Sequence, residues 1–273
     1  MTEKQLLENN PWKEVADMYS VDNTECLYGE NHYFCNGDRD AIEKYNNKAS
    51  GTDKIITKIP AEPWWGNPLK AHLIILSLNP GYVPNVNKTL ALLMQSSDAI
   101  RFQTIAYKAK TIQLAVDSFL PLKEDDVADA PVSCRDCVNM LGDWYWVKML
   151  RQLQEDVKKE NSMIDEEEFY KQVALIEYCG YSSETAKLSL PKSEEGSYGF
   201  LKKLISHISK KEDTQFLILR EATHWDRLLR TVKCPTDKIW HRKSRSRSQY
   251  VTPGNFEKDV YKRIVEFLAH KKI

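Results

Sequence analysis

The sequence predicts an α/β fold of three layers, α/β/α, built on a central, mostly parallel four-stranded sheet. Three observations carry this expectation. Four short apolar runs have the length of buried strands, each run ends in a polar turn, and segments with helical spacing of apolar residues separate them. Strands that alternate with helices pair in parallel and bury both faces of their sheet.

The elements follow in chain order. Residues 1–55 are polar and helical, with "DRDAIEKYNNKA" as the clearest helix and "SGTDK" as a linker behind it, so they form an N-terminal helical arm or cap without a core of its own. Residues 56–273 form the main α/β/α domain. Its first strand is "HLIILSL" (72–78). More than ninety residues separate this strand from the next, too many for one crossover helix, so several helices and a long loop, "KEDDVADAPVSCRDC", are expected there. In "NMLGDWYWVKMLRQLQEDVKKE", Met140, Trp144, Val147 and Leu150 recur at helical spacing. The remaining strands are "QVALIEY" (172–178), "TQFLILR" (214–220) and "DKIWHRKS" (237–244). A terminal helix, "NFEKDVYKRIVEFLAHKK", sets Val260, Ile264, Phe267 and Leu268 on one face.

Composition limits what such a domain does. The 273 residues are 42% hydrophobic, enough for one large core. Lysine plus arginine and aspartate plus glutamate both number 39, so no net charge draws the whole molecule to nucleic acid, and a polyanion site must be a local patch. The chain starts polar and acidic, and no apolar run approaches the roughly 20 residues of a membrane span, so a cytoplasmic protein with no membrane partner is expected. A monomer without a cofactor is expected as well. Six cysteines are present. The gap between Cys134 and Cys137 suits a zinc or iron–sulfur knuckle, with Cys26, His32 and Cys35 as further donors; the plainer reading, which we prefer, is free thiols.

In a parallel α/β sheet, ligands bind beyond the carboxyl ends of the strands. The four loops there begin "NPGYVP", "CGYSSE", "EATHW" and "RSRSQYVTPGN". Asn79 precedes a proline, which keeps it in extended backbone, and Gly81 permits a sharp turn behind it. Asn-Pro-Gly is also ordinary turn chemistry. The run after the last strand holds Arg242, Lys243, Arg245 and Arg247 interleaved with Ser244 and Ser246, a pattern suited to phosphates and equally to a solvated loop.

Taken as one piece, "IPAEPWWGNPLKAHLIILSLNPGY" resembles the first motif of the uracil-DNA glycosylase superfamily, where a strand ends in a Gly-x-Asn-Pro-Gly type sequence. The mismatch-specific and single-strand-selective branches carry asparagine there, and "EPWWGNP" is similar to a Pro-Glu-Pro-aromatic-x-Gly approach in bacterial relatives. Ser77 stands in place of the usual glycine. "ALIEYCGYSS" resembles the strand that reads the extruded base, and "FLILREATHWDRLLR" the strand and helix before the second motif. "KIWHRKSRSRSQYVTPGNFEKDVYKRIVEFL" occupies the place of that second motif, without its His-Pro-Ser-Pro. The layout spans residues 58 to 270.

The resemblance implies a DNA glycosylase that extrudes a base and hydrolyses its N-glycosidic bond. Asn79 would orient the water, and an amide does so without accepting a proton. Tyr82, Trp65 and Tyr181 would contact the base, with Trp64 and Trp65 equally readable as core anchors. Glu177 would read the base edge; a carboxylate suits an amino donor, such as that of a modified cytosine, better than the carbonyl edge of uracil. Residues 242–247 would bind DNA. Repair and defence against modified phage DNA both fit. The alternative is a nucleic-acid-binding module of the same fold without catalysis, and a third reading is a metal-stabilised interaction protein.

Overall fold

The computed structural model describes residues 1–17, 33–57, 61–80, 148–185, 192–243 and 249–271. Helices α1 (Glu3–Glu8), α2 (Lys13–Asp17) and α3 (Arg39–Asn46) precede the sheet. Then come β1 (Trp64–Trp65), β2 (Leu73–Ser77), α4 (Lys148–Glu160), α5 (Glu166–Lys171), β3 (Val173–Glu177), α6 (Ser197–Ile208), β4 (Gln215–Ile218), α7 (Ala222–Thr231), β5 (Ile239–His241) and α8 (Lys258–Ala269). The sheet order is β1-β3-β2-β4-β5. The four predicted strands all form and pair in parallel. The described sheet nevertheless has five strands, not four, because Trp64 and Trp65 pair antiparallel with Ile176 and Leu175 at its edge. Two residues are too few to show a strand period, so this edge left no pattern to read.

Side chains alternate across the sheet. Ile74, Leu76, Ala174, Ile176, Phe216 and Ile218 pack into one cluster with Phe200 and Leu204 of α6 and Trp225 and Leu228 of α7. Leu73, Ile75, Val173, Leu175 and Leu217 pack into the other with Leu150 and Leu153 of α4 and Ile264 and Leu268 of α8. Burial on both faces explains why the strands are continuously apolar. In the terminal helix, Val260 and Phe267 are only partly buried at the flanks of the expected face, while Tyr261 and Val265 complete it. Met140, Trp144 and Val147 lie outside the described residues.

The described parts of residues 1–57 join the first cluster through Leu6, Trp12, Val15, Tyr33 and Ile42. A buried polar tie fastens them. Tyr181 donates its hydroxyl to Asp38 Oδ2 at 2.8 Å and accepts from the Cys35 amide at 3.0 Å, while Asp38 Oδ1 accepts from the Ser197 amide at the start of α6 at 3.0 Å. Gly196 is required beside it, since a Cβ there would stand 2.0 Å from Asp38 Oδ1. No described helix is long and apolar enough to cross a membrane.

Order β3-β2-β4 places the strand after β2 on one side and the next on the other, so the connections diverge at the carboxyl ends of β2 and β4. That is the switch point at which such sheets bind ligands.

The Asp38 tie predicts a pH dependence. Burial raises its carboxyl above the ordinary carboxylate pKa, outweighing the hydrogen bonds from Ser197 and Tyr181, which lower it. An acid whose pKa is higher folded than unfolded stabilises the fold most below its unfolded value, and this contribution is lost as pH rises through the folded value. Urea midpoints of the parent should therefore include a fall with rising pH just above the ordinary carboxylate range, and Asp38→Asn should reduce that fall.

Candidate functional site

The exit of β2 is held by backbone on both sides. The Ser77 carbonyl accepts from Trp225 Nε1 at 2.6 Å and from the Tyr178 amide at 3.3 Å, and the Leu78 carbonyl accepts from the Cys179 amide at 2.9 Å. Asn79 follows, buried at 2% exposure. Its Nδ2 donates to Ser183 Oγ at 2.8 Å, to the Pro80 carbonyl at 3.1 Å and to the Tyr181 carbonyl at 3.5 Å. Carbonyls only accept, so the two of them fix which end of the amide is nitrogen. Oδ1 is thereby turned away from all three partners. Ser183 Oγ donates onward to the Thr185 carbonyl at 2.9 Å, and Thr185 Oγ1 to Asp53 Oδ1 at 2.7 Å, which anchors the amide to the N-terminal segment.

Glu177 is the last residue of β3 and is 3% exposed. It stands level with Ser77 in the parallel register, and alternation puts both on the side of Leu73, Ile75, Val173 and Leu175. Its amide donates to the Pro63 carbonyl at 2.9 Å. The other sequence candidates are dispersed. Tyr181 is buried with its hydroxyl committed to Asp38 and Cys35, so only its backbone reaches Asn79. Trp64 packs against Trp12 and Phe200 at ring separations of 6.5 and 5.9 Å, which makes it a core anchor, and Trp65 is half-buried against the opposite cluster. Arg242 and Lys243 follow β5, half-buried. Tyr82, Ser244, Arg245, Ser246, Arg247, Cys134 and Cys137 lie outside the described residues.

The loop after β4 brings two further side chains to this edge, Glu221 and His224. Glu221 there adopts φ 52° and ψ 49°, a left-handed conformation that a non-glycine residue holds at a cost of about 1–2 kcal/mol. Its Oε2 lies 3.7 Å from Nδ1 of His224 in the first turn of α7. The His224 ring meets Tyr178 edge to face at 5.3 Å, and Trp225 meets Tyr178 at 5.2 Å. These contacts join the exits of β3 and β4. Without a glycine to mark the turn, the sequence carried no signal for it.

The titratable groups limit the chemistry. Burial pushes the Cys179 thiol up to about 12 and Cys234 up to about 11, and lifts Cys35 well above its usual value, so all three are protonated at neutral pH and poor nucleophiles. Burial and a hydrogen bond with Tyr198 likewise keep the Tyr178 hydroxyl protonated. Among the described residues no group of three histidine, cysteine or acidic side chains could hold a metal ion. Along the carboxyl edge of the sheet stand an oriented amide (Asn79), a buried carboxylate (Glu177), a histidine (His224) and arginines at the exits of β4 and β5. Compared with known proteins, the chain matches no family model, no curated protein and no solved structure.

Because two carbonyls and a hydroxyl surround Nδ2, Asn79→Asp should set a carboxylate oxygen against acceptors. We expect a loss of about 1–3 kcal/mol in denaturant unfolding, the scale of unmatched buried polar groups. Ser183→Ala, which removes one partner and leaves both carbonyls served, should cost less.

Proposed function

We propose that this protein is a DNA N-glycosylase, similar to the uracil-DNA glycosylase superfamily, that extrudes a modified or damaged base and hydrolyses its glycosidic bond. The observation that carries this reading is Asn79, oriented at the exit of the central strand beside the switch point. In glycosidic cleavage positive charge grows on the sugar as the base departs as an anion. A water held by Asn79 Oδ1 would attack the anomeric carbon as the carbon–nitrogen bond breaks; the amide orients the water and takes no proton, and the proton the water loses ends on the departing base anion, which leaves a neutral base and an abasic sugar. His224, 3.7 Å from the Glu221 carboxylate in the first turn of α7, is of the type that can donate to a departing base. Glu177, an acceptor when ionised, would favour a base that offers an amino group.

A second reading is supported by the same amide. With asparagine rather than a carboxylate at position 79, and with the described thiols protonated, the domain suits nucleic-acid binding without catalysis. An abasic-site assay separates the two. A panel of oligonucleotides carrying uracil, deaminated purines and modified cytosines is incubated with the protein and cleaved with alkali. Release of any base supports the enzyme, and none leaves the binding module.

On the substrate so found, Asn79→Ala should lower base release per folded molecule by roughly a hundredfold, the scale of a positioned polar group. Ser183→Ala, which loosens the amide without removing it, should lose less. Equal rates for Asn79→Ala and the parent would remove Asn79 from the mechanism. In direct competition, Glu177→Asn should move preference toward uracil, since an amide both donates and accepts.

A further inference from the structure

The stretch "SGTDK", a linker by its sequence, is pinned in place at several points. Asp53 closes the short turn Gly51–Asp53, with its amide donating to the Ser50 carbonyl at 3.1 Å and its carbonyl accepting from the Tyr45 hydroxyl at 3.1 Å. The Asn46 side chain fixes the residues behind it, donating to the Ile55 carbonyl at 2.9 Å and accepting from the Ile55 amide at 2.8 Å. The loop that follows β3 lies antiparallel along this segment. The Ile56 amide donates to the Ser182 carbonyl at 2.8 Å, and the Thr185 amide to the Thr52 carbonyl at 3.0 Å.

The side chains between these backbone bonds form a chain with one direction. A serine or threonine hydroxyl has a single proton to give. Ser183 gives its proton to the Thr185 carbonyl at 2.9 Å, so its Oγ meets Asn79 Nδ2, at 2.8 Å, only as an acceptor. Thr185 gives its own to Asp53 Oδ1 at 2.7 Å, so in the 3.2 Å contact with Thr52 Oγ1 it is Thr52 that donates. The chain ends on Asp53, 6% exposed. If Thr185 left Asp53, its carbonyl would no longer hold the Ser183 proton, which would be free to turn toward the Asn79 amide and compete for Oδ1.

We propose that Asp53 is a positioning residue for Asn79: it holds Thr185 where the Thr185 carbonyl engages the Ser183 proton, so that Ser183 accepts from the amide and does not donate to it. Asp53 acts through two intermediaries, and the device is completed by a residue from outside the α/β/α sandwich. Its effect on base release rests on the excision reading above. The orientation of the amide does not.

The test compares the parent with Asp53→Ala, Thr185→Val, Thr185→Ser and the double variant Asp53→Ala/Thr185→Val. Thr185 is exposed, so its substitutions leave the core untouched. Thr2→Ala is the control for loosening of the N-terminal segment, since it removes only the cap of α1, where Thr2 Oγ1 accepts from the Gln5 amide at 3.2 Å. The first readout is the pair of Asn79 Nδ2 protons in nitrogen-15 spectra, assigned by their loss in Asn79→Ala. Thr185→Val and Asp53→Ala should shift both resonances and speed their exchange with solvent about tenfold, as a local opening does. Thr185→Ser, which keeps the hydroxyl, should restore the parent spectrum, and Thr2→Ala should leave it unchanged. The double variant should show no more than the larger single effect, because both substitutions break one bond.

On the substrate found by the abasic-site assay, Thr185→Val should lower kcat about tenfold with KM nearly unchanged, as expected of an interaction that aims a catalytic group without binding substrate. Parent resonances in Thr185→Val, the same shift in Thr185→Ser as in Thr185→Val, or additive effects in the double variant would each overturn the proposal. If Asp53→Ala does not fold, Thr185→Val against Thr185→Ser carries the decision. Shifted resonances with no base release from any oligonucleotide contradict the excision reading alone. Base release in the parent, with Thr185→Val unaltered in spectrum and rate, contradicts the positioning role alone.

Discussion

The structure depends on the register of β2 with its two neighbours. Leu73 stands level with Val173 on one side and with Gln215 on the other, and the pairing runs without a bulge to Ser77 and Glu177. Because the strands are parallel and in step, their chains leave the sheet at nearly one level, so residues far apart in sequence gather at one edge. A slip of one residue would turn Ser77 and Glu177 to the other face and invert both core clusters. Ladder bonds alone would allow the exits to splay. Trp225 prevents this at β2, because its indole N–H is spent on the Ser77 carbonyl while its ring fills the core.

Burial on both faces also decided what the sequence revealed. Strands with no solvent side are unbroken apolar runs, and all four were legible for that reason. The edge pair Trp64–Trp65 was not, since its existence follows from pairing with β3 rather than from any local period. Asn79 was legible because proline and glycine mark the exit. The orientation of its amide was not, for one of the two carbonyls that fix it belongs to Tyr181, 102 residues away in sequence. Tyr181 shows the reverse case. Its place in a strand-end loop suggested base contact, but a buried hydroxyl must find partners, and it finds them in Asp38 and the Cys35 amide. Glu221 and His224 escaped notice because a left-handed glutamate is set by tertiary context.

These details bear on what chemistry the proposed site can perform. An asparagine whose nitrogen is anchored three times presents an oxygen with little freedom, which suits the orientation of a water and excludes proton abstraction by that residue. Aspartate could not take the same place, since its oxygen would oppose two carbonyls. The buried thiols are likewise removed from reaction by desolvation. The tie between Asp38, Tyr181 and α6 runs close to the Asn79 anchor, as Tyr181 serves both through its hydroxyl and its carbonyl. The N-terminal segment is thus mechanically part of the proposed site although it lies far from it in sequence.

The central claim is that Asn79 presents its amide oxygen to a sugar bound at the carboxyl ends of β2 and β4. A crystal structure with a single strand carrying a tetrahydrofuran abasic analogue tests it most directly. The account predicts the analogue at that edge, with an ordered water about 3 Å from Asn79 Oδ1 and directed at the anomeric carbon of the sugar. An analogue bound elsewhere on the protein, or an Oδ1 occupied by a donor of the protein itself, would contradict it.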